Sequence, residues 1–202
     1  MYIPSHFAET DKQTLFDFME ANSFAILFSQ KDGVPQASHL PFLLDREEEC
    51  LYGHMAIANG HWRDASGEVM VVFSGAHAYI SPSWYQEKAA VPTWNYTAVH
   101  AYGTFEQVKA EELPPILAKS VEQYESTFAE PWRLEDADPE YVGKMSKAIV
   151  GFRIKLSKLE GKWKLNQNHS RERQERVVVA LKAQGDENSL QIAQLMEDNL
   201  KK

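Results

Sequence analysis

Histidines and clustered aromatics are the side chains of this sequence whose types and spacing could do chemistry. The seven histidines are His6, His39, His54, His61, His77, His100 and His169. No two stand at i, i+4, and neither HExxH nor CxxC occurs beside the lone Cys50, so the usual metal patterns are missing. Ser74-Gly75 and Ser81-Pro82-Ser83 lack the flanking glycines of a GxSxG nucleophile turn. No GxGxxG or GxxxxGK[ST] loop offers a helix N-terminus to a nucleotide phosphate. Residues 53–62, GHMAIANGHW, suit a phosphate in another way: backbone NH groups, Asn59 and His61 can line a nest-like loop. The alternative is that Gly53 and Gly60 only permit turns.

A second concentration lies in residues 69–103, where Phe73, Tyr79, Trp84, Tyr85, Trp94, Tyr96 and Tyr102 fall close together. Trp84, Tyr85, Trp94 and Tyr96 suit stacking on a flat ring such as isoalloxazine, although aromatics at strand ends more often serve a core or a subunit interface. A third is basic: residues 153–176 hold Arg153, Lys155, Lys158, Lys162, Lys164, Arg171, Arg173 and Arg176 against Glu160, Glu172 and Glu175. In SRERQER the signs alternate, as on a solvated helix face, and DNA or an acidic partner is the other reading.

These groups need elements to hold them. Thr10 and Gln13 have capping-box spacing ahead of Leu15, Phe18 and Met19, which predicts a helix ending at Asn22. FAILFS (24–29), the turn Lys31-Asp32-Gly33 and VPQASHLPFLL (34–44) predict a β-hairpin whose second strand, carrying Pro35 and Pro41, lies at an edge. A short strand follows at 50–54, with 53–62 as a loop or helical turn. VMVVFSG, HAYI and HAYG predict further strands. Helical spacing returns from Ala110 to Tyr124, and again around Pro139 to Lys147. IVGFRIKL (149–156) predicts a strand that Glu160-Gly161 turns toward KWKLNQN, and the tail from Ser170 predicts two helices divided at Gln184-Gly185-Asp186. Antiparallel strands flanked by helices make an α+β fold with a barrel-like sheet. The expected division is a domain over 1–168 and a helical tail over 169–202.

With 202 residues and 44% hydrophobic composition the chain can fill one full core. Its formal charge of -8 argues against nucleic-acid binding by bulk electrostatics. No apolar run reaches the ~18 residues of a membrane span, and MYIPSHFAET has no secretory pattern; a soluble cytoplasmic protein, not associated with membrane, is expected.

Seven stretches occur in order: MYIPSHF (1–7), HLPF (39–42), GHMAIANGHW (53–62), FSGAHAYISPSWY (73–85), VPTWNYTAVHAYG (91–103), IVGFRI (149–154) and KLNQN (164–168). Together they resemble the PaiB family of FMN-binding negative transcriptional regulators, across nearly the whole chain. The resemblance implies an antiparallel split β-barrel with flanking helices and a helical C-terminal tail. It implies a homodimer with two FMN pockets at the subunit interface, similar to pyridoxamine-phosphate oxidases and flavin reductases. By position, the FMN-lining residues it implies are Ser38, His39, His54, Met55, Ala56, Asn59, His61, Trp84, Trp94 and Asn95, with Gln167 and Asn168 closing the pocket. No catalytic residue is implied. The regulatory reading, linked by the family to sporulation and protease synthesis genes, makes Lys164, Arg171, Arg173 and Arg176 the candidate DNA contacts; the alternative is an FMN-dependent oxidoreductase or flavin reductase. Ala76 and Gly60 stand where the family commonly has proline, and His169 where a basic residue is common.

Overall fold

The computed structural model describes every residue except Ser66 and Lys202. One eight-stranded sheet dominates the fold. Its strands are β1 (Ala8–Glu9), β2 (Phe24–Lys31), β3 (Val34–Pro41), β4 (Leu43–Asp45), β5 (Cys50–Ala56), β6 (Glu68–Ile80), β7 (Thr93–Gln107) and β8 (Ile149–Lys164). They are ordered β3-β2-β6-β7-β8-β5-β4, with β1 paired to β8. The helices are α1 (Lys12–Ala21), α2 (His61–Asp64), α3 (Leu113–Glu125), α4 (Pro139–Ser146), α5 (Arg171–Gln184) and α6 (Glu187–Leu200). The chain divides into two compact units, one of residues 1–15, 74–99 and 160–202, the other of 16–73 and 100–159. The expected tail helices thus belong to the same unit as the segments 74–99 and 160–164.

In the unit of residues 16–73 and 100–159, β2 and β3 form the expected hairpin, joined where Asp32 and Gly33 both take positive φ, +50° and +81°. That handedness matches the twist of the flanking strands. The prolines of β3 are tolerated because this strand is at the sheet edge. The core is aromatic. Phe152, fully buried, stacks on Phe105 with centroids 4.9 Å apart and meets Phe42 edge-on at 6.1 Å, while Phe42 meets Phe73 at 6.0 Å. Close approach requires glycine at 103: a Cβ there would lie 2.3 Å from the Lys155 carbonyl oxygen. Gly103→Ala is therefore expected to cost about 2 kcal/mol, read as a lowered urea midpoint with unchanged m-value.

In the other unit, α5 and α6 close on Ala76, Ala78, Ile80 and Leu165, burying Val177, Leu181, Ile192, Ala193 and Met196 among them. The break between the helices falls where expected. Gly185 ends α5 at φ +76°, and the Asp186 carboxylate caps α6 by accepting from Ser189 N at 3.0 Å.

Three expectations are corrected. β8 runs unbroken from Ile149 to Lys164, with no turn at Glu160-Gly161. Gly161 pairs with Glu9 of β1, and a Cβ there would strike Leu15 Cδ2 at 2.3 Å, so this glycine serves packing. The first four residues of GHMAIANGHW, expected in a loop or helical turn, continue strand β5 as far as Ala56. Helix α1 is capped by Asp11, whose Oδ1 accepts from Thr14 N at 2.8 Å, one residue later than the Thr10 box. No described helix is long and apolar enough to cross a membrane.

Candidate functional site

Residues 57–64 leave β5 by a turn and enter α2, which sets His61 against the β2–β3 hairpin. The imidazole is 5% exposed and lies between two serines: Ser38 Oγ is 2.7 Å from Nδ1, and Ser29 Oγ is 2.8 Å from Nε2. Asn59 completes the group, Nδ2 donating to Ser38 Oγ at 3.2 Å and Oδ1 accepting from His61 N at 3.1 Å. Because Ser38 Oγ takes the Asn59 proton, it is best placed to give its own to Nδ1, which leaves the ring proton on Nε2 for Ser29. Alongside, Asp64 accepts from Lys31 at 2.6 Å and Gln36 at 3.2 Å. Ser38, Asn59 and His61 are thus brought together. Ser29, Lys31, Gln36 and Asp64, which join them, were not singled out from sequence; the i, i+2 spacing of Gln36 and Ser38, paired in register with Ser29 and Leu27, was the available signal.

His39, next along β3, alternates to the opposite face and stays exposed, its ring 6.4 Å from Phe24. His54 lines a separate cavity of about 240 Å³ with Pro41, Phe42, Leu117, Val121, Tyr124 and Trp132. Met55 points into the core, 3% exposed, and Ala56 ends β5 exposed.

Burial lowers the pKa of both His54 and His61; for His61 the nearby Asp64 carboxylate opposes the shift. As pH falls, the unfolded chain takes up these protons first, so stability held above about pH 6.5 is lost below it. The urea midpoint is expected to drop between pH 7.5 and pH 5.5, and His61→Gln to flatten that slope.

In the unit of residues 1–15, 74–99 and 160–202, alternation sorts the strands into two faces. Ala76, Ala78, Ile80, Trp163 and Leu165 meet the helical core, which leaves His77, Tyr79, Trp94, Tyr96, Lys162 and Lys164 on the outer side. Trp94 is 53% and Tyr79 47% exposed. Their rings meet edge-on at 5.7 Å, and His77 lies 6.2 Å from Trp94. The Lys162 ammonium sits 5.1 Å from the Tyr96 ring and donates to the Tyr2 carbonyl at 3.1 Å. Lys164 donates to Thr93 Oγ1 and, at 2.8 Å, to the Trp94 carbonyl. Burial, then the neighbouring Lys162 charge, lower the Lys164 pKa.

The other nominated residues of this unit are occupied elsewhere. Trp84 packs against the α5–α6 core, and Asn95, fully buried, donates to Met196 Sδ at 3.4 Å. Gln167 bonds its own turn, accepting from Leu165 N at 2.7 Å and donating to the Trp163 carbonyl at 2.6 Å, while Asn168 is exposed. Arg171 donates to Glu175 and the Leu200 carbonyl, both at 3.0 Å. Arg173 lies 3.7 Å over the Tyr85 ring and reaches Glu87; Arg176 donates to the Tyr85 carbonyl at 2.7 Å. His169 also lies against Tyr85, at 5.7 Å.

Comparison with known proteins bears on what these faces serve. Residues 1–158 match the family model described as "Putative FMN-binding domain". The chain is 38% identical over 206 positions to the Bacillus subtilis "Protease synthase and sporulation protein PAI 2", covering 100% of this chain and 99% of that one. The chain belongs to the PaiB family. Solved structures agree on the fold of this PaiB-family chain. The FAD and heme binding protein of Mycobacterium smegmatis superposes with a TM-score of 0.65 at 14% identity, covering 83% of this chain and 78% of that one. The flavocytochrome Anf3 of Azotobacter vinelandii gives 0.63 at 16%, covering 80% and 72%. The expected α+β split-barrel architecture is the one observed.

Proposed function

We propose that this PaiB-family chain is an FMN-binding transcriptional regulator that acts as a homodimeric repressor, of the kind its Bacillus subtilis relative's name associates with protease synthesis and sporulation. The observation that carries this reading is the outer face of β6, β7 and β8: exposed rings of His77, Tyr79 and Trp94 beside two lysines, in a chain matched by an FMN-binding family model over most of its length. The donor set fits FMN. A planar ring system is served by the aromatic edges and faces, and an anion by ammonium groups. When bound, FMN supplies one- or two-electron redox chemistry of its own. Tyr79 and Trp94 would orient the ring and exclude water from it, and Lys162 and Lys164 would hold negative charge.

The same exposed apolar surface supports dimerisation, because faces of this kind are commonly covered by a partner. Arg171, Arg173, Arg176 and Lys164 each make contacts within the chain, and an operator phosphate would compete with these. Equilibrium dialysis against FMN, combined with sedimentation equilibrium, tests the reading. One FMN per chain in a dimer supports it; a monomer that retains no FMN contradicts it.

A further inference from the structure

We propose that the cavity between β5 and α3 is a second ligand site, for a small neutral aromatic molecule that carries a ring N–H or O–H, with His54 accepting its hydrogen bond. This site is independent of the flavin reading above.

The cavity, about 240 Å³, belongs to the unit of residues 16–73 and 100–159. Strand alternation and helical spacing build it. Cys50, Tyr52 and His54 leave the same face of β5, and α3 lays Leu117, Val121 and Tyr124, at i, i+4 and i+7, over the end that carries His54. Phe42, 2% exposed, lies at the inner end, while Tyr124 and Trp132, 40% and 43% exposed, stand at the mouth. Trp132 is held there by its backbone N–H, which donates to Glu125 Oε2 at 3.0 Å.

The polar groups of the wall decide what fits. Ser120 Oγ donates to the Ile116 carbonyl at 2.9 Å, and Tyr124 Oη to Ser23 Oγ at 2.9 Å. Both hydroxyl protons are spent, so these groups offer a ligand only acceptor lone pairs. His54 is different. No described residue gives it a hydrogen bond or an opposite charge, and burial alone lowers its pKa. The ring is therefore neutral at neutral pH, with one nitrogen that accepts. A half-buried imidazole that lacks a protein partner gains when a ligand supplies one. Among the described lining residues none is Lys or Arg, and the single charge is the Glu125 carboxylate, which disfavours an anion. A cavity of roughly 150 Å³ holds one benzene ring. The space here takes a bicyclic ring such as indole, and it is too small for FMN with its three fused rings, ribityl chain and phosphate.

The test is isothermal titration calorimetry of the full chain with three probes. Indole carries the N–H, benzofuran is the same bicycle with a ring oxygen in its place, and indole-3-carboxylate adds a negative charge. Indole is expected to bind about tenfold tighter than either of the others. His54→Leu should weaken indole by about tenfold, to the level of benzofuran, while benzofuran changes by less than about threefold. Val121→Phe, which fills the cavity from α3, should abolish indole binding. His54→Leu, which removes no α3 packing, keeps the test decisive if Val121→Phe unfolds the helix. Excess FMN should leave the indole affinity as it was. The proposal is overturned by no binding of indole up to about 1 mM, by equal affinity for indole and its carboxylate, by an N–H preference that survives His54→Leu, or by displacement of indole by FMN.

Discussion

Phe152→Ala is expected to cost about 4 kcal/mol, enough to consume much of the stability of a domain of this size. Phe152 is fully buried, stacks on Phe105, meets Phe42, and fills the space left by Gly53, where a Cβ would come 2.6 Å from the ring edge. Truncation removes a large transfer free energy and leaves a cavity walled by rings, which relax poorly. Urea unfolding followed by circular dichroism would measure it. A loss below about 1 kcal/mol would show that the site collapses around the missing ring. Phe152→Leu, which keeps more of the volume, should recover over half of the loss.

The second large effect falls on ligand affinity. Trp94→Ala is expected to weaken FMN binding by about 30-fold, roughly 2 kcal/mol, since an aromatic ring contributes about 1–3 kcal/mol to a stacked partner. Stability should change little, because the side chain is half exposed and lies outside the helical core. Trp84→Ala supplies the contrast. Trp84 packs against the α5–α6 core, so its loss should lower the unfolding midpoint more than it lowers FMN affinity. The two tryptophans, alike in sequence context, are thereby expected to separate into a ligand contact and a packing residue.

That separation shows what the sequence could and could not convey. Strong local signals were legible: the Asp32-Gly33 turn, the capped break at Gly185-Asp186 and the edge position of the proline-bearing β3 all follow from backbone chemistry of a few residues. Glu160-Gly161 misled because glycine means a turn when φ must be positive and also means close packing when a neighbour needs the space; only the approach of Leu15 and the pairing with Glu9 distinguish them. Period-2 alternation would have set Trp94 and Tyr96 on one face and Asn95 on the other, and so would have removed Asn95 from the ligand side. His61 reads in the sequence as a phosphate-loop and FMN-lining residue, whereas its two serine partners come from strands 32 and 23 residues away. Such pairing is tertiary and leaves no local mark. The basic run read as a possible DNA surface looked free because Glu87, the Tyr85 ring and the Leu200 carbonyl, which engage its arginines, are remote in sequence.

The central claim, that the chain holds FMN, is tested most directly by its visible absorption spectrum after mixing with FMN and separation by gel filtration. The account predicts flavin bands that co-elute with the protein, shifted from those of free FMN and close to one flavin per chain. Protein emerging colourless, with all the FMN in the small-molecule fraction across a tenfold range of protein concentration, would contradict it.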